Sequence, residues 1–75
     1  MKLTATIHEE ALSTGEPAFV ALCLELDIAS QGASDEEAYA NLREAVELFL
    51  EDVTTEELNR RLAARQTVRE FEVAA

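Results

Sequence analysis

The chain has one cysteine, one histidine, one proline, two glycines, no tryptophan and only six lysines and arginines in 75 residues. Each scarcity excludes something. Cys23 has no second cysteine to pair with, so no disulfide braces the fold. One Cys and one His (Cys23 and His8) cannot supply the four nitrogen or sulfur ligands of a structural zinc site. Six cations against sixteen acids leave a formal charge of −10, which opposes direct binding to nucleic acid or to an anionic membrane surface. The longest apolar run, residues 18–24, is far short of the roughly 20 residues of a membrane span. The first residues alternate polar and apolar and form no signal-peptide core. Together with the lone cysteine, this leads us to expect a cytoplasmic protein.

The hydrophobic fraction of 48% is that of a globular chain, so the charge does not imply disorder. We expect a single domain over residues 1–75, without a C-terminal DNA-binding domain. A core this small has a thin stability margin, and self-association is a usual remedy. The acidic surface suits solubility or a basic partner.

Leu3, Ala5 and Ile7 alternate with polar residues and predict a half-buried strand ending near His8. Residues 9–16, with Gly15 and then Pro17, read as a hairpin loop. Residues 18–24 form a second strand, apolar on both faces, which predicts a cover on each side and hence a homo-oligomer. A short edge strand follows at 28–31, broken by Gly32, which suits either a positive φ or a close approach. Ser34 and Glu37 form a capping box, and Asp35, Glu36 and Glu37 place negative charge at a helix N-terminus. Ala38, Leu42, Ala45, Val46, Phe49, Leu50 and Val53 then make one apolar stripe over 34–52. Thr54 and Glu57 repeat the cap for a shorter helix, in what looks like an insertion over 54–66. Alternation over 68–73 predicts a last strand. The fold expected is α+β, in the order β-β-β-α-(α)-β. It has a four-stranded mixed sheet, strand order 3-2-1-4, and the main helix on one face.

No chemistry assembles from these residues. His8 has only Glu9 and Glu10 near it in sequence, and Cys23 sits in an apolar strand, where cysteine acts as a small hydrophobe. The acidic pairs Glu9–Glu10 and Glu25 with Asp27 lie in expected turns, and Asp35, Glu36 and Glu37 are accounted for by capping. We expect no catalytic residue, no metal and no cofactor.

One stretch goes beyond composition. A strand ends in Gln31-Gly32; Ser34 follows, then Glu37-Ala38, Asn41 and Glu44-Ala45 before an acidic helix tail. These eight positions resemble the hallmark of the HicB family of antitoxins, particularly its short free-standing members. The resemblance implies a partly degraded RNase H-like fold and a non-catalytic role in a type II toxin–antitoxin system. HicB-like proteins neutralise HicA, a small basic RNA-cleaving toxin, by occlusion. The matched residues read as mainly structural: Gly32 and Ser34 shape the start of the helix, Glu37 caps it, and Ala38 and Ala45 permit close packing. The pattern gives no role for Gln31 or Asn41. Glu9, Glu10, Glu25 and Asp27 are the candidate partner contacts. Two rivals stand beside this reading: a self-assembling regulatory module with no toxin, and a residual metal-dependent nuclease using Glu25, Asp27 or Glu9.

Overall fold

The structure, a computed structural model, describes residues 1–64 and 69–74. Three strands, β1 (Ala5–Ala11), β2 (Pro17–Cys23) and β3 (Ile28–Gly32), precede two helices, α1 (Asp35–Asp52) and α2 (Thr55–Ala63). The strands form an antiparallel meander in the order β1-β2-β3. The register runs from Ala5 opposite Cys23 to Ala11 opposite Pro17, and from Phe19 opposite Gly32 to Cys23 opposite Ile28.

This corrects the expected four-stranded sheet of order 3-2-1-4. No fourth strand forms among the described residues: 69–74 are neither strand nor helix and are exposed throughout. Of the alternating stretch 68–73, Val68 lies outside the described residues, as do Arg65 and Gln66 of the expected insertion. Alternation licenses a strand but supplies no edge to pair with.

β1 also runs past its expected end at His8, through Glu9, Glu10 and Ala11. An edge strand need not be apolar to hold its ladder. The hairpin loop shrinks accordingly. Leu12 N–H donates to Glu16 O at 2.8 Å, Gly15 N–H to Leu12 O at 2.8 Å, and Gly15 takes φ +87. A turn closed by a left-handed residue is a common three-residue hairpin, and glycine meets its demand without strain.

The second connection, residues 24–27, contributes to the core. Asp27 N–H donates to Cys23 O at 2.9 Å, and Asp27 adopts φ 55, a left-handed conformation that Asp tolerates better than most side chains. The turn drives Leu26 inward to complete burial. Leu26 joins Ala21, Cys23, Ala38 and Leu42 in the core, ringed by Leu3, Ile7, Phe19, Ile28, Val46, Phe49, Leu50 and Leu58.

α1 covers the face of the sheet that carries Ala21 and Cys23. Val20 and Leu22 point to the opposite face, and both are half-buried. The largest exposed apolar groups lie elsewhere, at Met1, Phe71 and Val73.

α2 is joined to the domain by Arg61. Its Nη1 donates to Leu26 O at 2.7 Å, its Nε to Glu57 Oε1 at 3.1 Å, and its guanidinium lies 4.7 Å from the Phe49 ring centroid. Leu58 packs against the core beside it. Among the described residues, no helix is long and apolar enough to cross a membrane.

Candidate interaction surface

The junction between β3 and α1 gathers most of the motif residues. Ser34 accepts from Glu37 N–H at 3.1 Å, and the Glu37 carboxylate reaches back to accept from Ala33 N–H at 3.1 Å. Ser34 is extended at the N-cap, as a capping residue must be. A Cβ on Gly32 would stand 2.6 Å from Ala38 N and 2.9 Å from the Glu37 carbonyl carbon. Of the two readings of Gly32, the close approach is the one found; its φ is not positive. Ala38 is wholly buried at this contact, while Ala45 is only half-buried and Glu44 is exposed.

Asn41 and Gln31, which had no role on pattern alone, are partners: Asn41 Nδ2 donates to Gln31 O at 2.8 Å. The ladder explains why this matters. Asp27 N–H bonds Cys23 O, on the side of β2 that faces β3, and the antiparallel alternation turns Ile28, Ser30 and Gly32 toward β2. Gln31 O therefore points off the free edge of β3, and Asn41 occupies it. An unpaired strand edge is a template for unwanted pairing, and this side chain blunts it. The signal was Asn at a half-buried helix position, but its partner lies ten residues back across a turn and no local period reveals it.

The four acidic candidates are not brought together. Glu9 and Glu10 sit toward the hairpin end of β1, opposite Phe19 and Ala18. Glu25 and Asp27 sit at the other end of the sheet, some ~17–20 Å away at about 3.4 Å per residue. Three of the four are also otherwise accounted for. His8 Nε2 lies 2.9 Å from Glu10 Oε1. Thr4 donates its N–H and its hydroxyl to the two Glu25 carboxylate oxygens, each at 2.7 Å. These bonds hold the Glu25 carboxyl below its ordinary pKa, the backbone bond most. Asp27 serves the turn.

The acidic concentration lies on α1 instead. Its sequence holds Asp35, Glu36, Glu37, Glu44, Glu47, Glu51 and Asp52 against the single cation Arg43. At 3.6 residues per turn, Glu36, Glu44, Glu47 and Glu51 fall within about 80° of one another, and all four are exposed. Arg43 offsets only Glu47, at 3.8 Å. The outward position of these acids was legible in the helical period; their density as a ridge was not among the partner candidates.

His8 is exposed on the open sheet face, and Cys23 is a free, buried thiol. Among the described residues no three His, Cys, Asp or Glu side chains group as a metal site. Beside β1, a groove of about 350 Å³ opens between the strand and α1. Comparison with protein-family models, with curated proteins and with solved structures returned no match to this chain.

Proposed function

We propose that the chain is a non-catalytic, cytoplasmic protein-binding domain of the HicB antitoxin type, which neutralises a small basic RNA-cleaving toxin of the HicA type by covering its RNA-binding face. The observation that carries this reading is the α1 ridge of Glu36, Glu44, Glu47 and Glu51. It stands on a helix fixed to the sheet by the residues that carry the family resemblance, Gly32, Ser34, Glu37, Ala38 and Asn41. A dense negative ridge steers a basic surface into contact and competes with phosphate for it. No cofactor enters this mechanism.

The test is co-expression with small basic RNA-cleaving proteins encoded beside it, followed by association kinetics on the complex. Restored growth and a 1:1 or higher-order complex support the reading. Glu44→Lys with Glu47→Lys should then slow association about tenfold or more without unfolding the domain. Absence of any complex at micromolar concentration with every such protein sinks it.

A second reading is favoured by the exposed apolar groups Met1, Phe71 and Val73: a self-assembling module with no toxin, which forms stable homo-oligomers and binds no heterologous partner.

A further inference from the structure

The two edges of the sheet differ. At β3 the outward Gln31 O is taken by Asn41. At β1, Leu24 N–H donates to Thr4 O at 3.0 Å and Leu12 N–H to Glu16 O at 2.8 Å. The ladder alternation therefore turns the backbone groups of Thr4, Thr6, His8, Glu10 and Leu12 toward β2. Those of Ala5, Ile7, Glu9 and Ala11 point off the open edge.

Beside this edge lies the groove of about 350 Å³, whose walls include the apolar Leu3, Ala5, Leu42 and Val46 together with the charged Arg43 and Glu47. Residues 69–74 are its chemical complement. Arg69, Phe71 and Val73 alternate with Glu70, Glu72 and Ala74. Phe71 is 84% exposed, Val73 is 74% exposed, and neither belongs to the core. The radius of gyration is 14.9 Å, against about 11 Å for a compact chain of this length.

We infer that two copies exchange residues 69–74 reciprocally, each segment adding as a strand to the β1 edge of the other copy, antiparallel to it, with Phe71 opposite Ile7. Val73 then lies opposite Ala5, and the cation Arg69 opposite Glu9. Ala5, Ile7 and Glu9 share the sheet face that α1 covers, so both apolar side chains enter on that face, with Val73 beside the groove. Glu72 and Glu70 fall on the open face, beside Thr6 and His8. A slip of one residue would place Phe71 and Val73 in water and remove Arg69 from Glu9. The occupant is a second copy because, among the described residues of one chain, the edge stands unfilled while the segment stands exposed. This inference holds independently of the antitoxin reading.

Sedimentation equilibrium of the full chain should give about 17 kDa, twice the 8.3 kDa of one copy. Phe71→Glu should weaken the dimer about a hundredfold, as the burial of one phenyl ring implies, with an unchanged circular dichroism spectrum. Ala5→Pro should do the same, because it removes an outward N–H and no bond to β2. Thr6→Cys with Glu72→Cys, in a Cys23→Ala background, creates a facing pair between hydrogen-bonded positions, where a disulfide fits. Oxidation should then give a covalent dimer. A mass of 8.3 kDa at tens of micromolar overturns the inference, and so does a dimer indifferent to Phe71→Glu. A disulfide that closes within a single chain overturns it as well.

Discussion

Gly32 is the least replaceable residue of the β3–α1 junction. Its neighbours at 2.6 and 2.9 Å include backbone atoms of α1, which cannot rotate away as a side chain can. Gly32→Ala should therefore lift the helix and cost about 1–3 kcal/mol, as overpacking does. For a domain this size the melting temperature should fall by roughly 5–20 °C. An unchanged thermal midpoint would refute the close approach. Glu25 makes a pH-dependent counterpart. Its folded pKa lies below the ordinary 4.5 because Thr4 donates to it twice. Its contribution is thus complete above pH 4.5 and is lost as pH falls through the depressed value. Urea midpoints measured from pH 6 to pH 3 should drop more steeply for the native chain than for Glu25→Gln. Parallel curves would remove Glu25 as the cause.

α2 reads in sequence as an insertion, yet Arg61 and Leu58 attach it to the first helix and to the β2–β3 turn. Arg61→Met keeps the stem but loses the bond to Leu26 O and the stacking on Phe49. A charge-assisted bond of this kind is worth about 1.5–3 kcal/mol, and an exposed cation–π contact about 0.5–1. We expect a loss near ~2 kcal/mol, read as a lower midpoint of one cooperative urea transition. A first, separate loss of helix signal would show that α2 melts alone. Both helices were legible from their caps, because Ser34 with Glu37 and Thr54 with Glu57 act within one turn of chain. The hairpin loop was misjudged because Glu9 and Glu10 are polar, and an edge strand tolerates that. The expected last strand failed for a different reason. Residues 69–74 carry the right alternation, but pairing is a property of two segments and only one of them is written there. Asn41 and Arg61 were opaque as well, since each acts on a backbone carbonyl distant in sequence.

For the whole molecule, net charge gives opposite signs to the two kinds of association. Two copies each carrying −10 repel, and salt screens that repulsion over about 10 Å at 0.1 M. A homodimer should tighten as sodium chloride rises from 20 to 300 mM. A complex between the α1 ridge and a basic protein should loosen over the same range. Titrations of both against salt would separate the two assemblies, and a homodimer that weakens with salt would contradict the role given to charge here. The sheet also bounds how far association can go. With Asn41 lodged on the carbonyl of Gln31, each copy has one berth in the hydrogen-bonding direction rather than two. A fibril lengthens only if every added unit presents a fresh berth to the next. Reciprocal exchange fills the β1 edge of both copies and spends both segments, so with Gln31 O already taken by Asn41 the assembly closes at two.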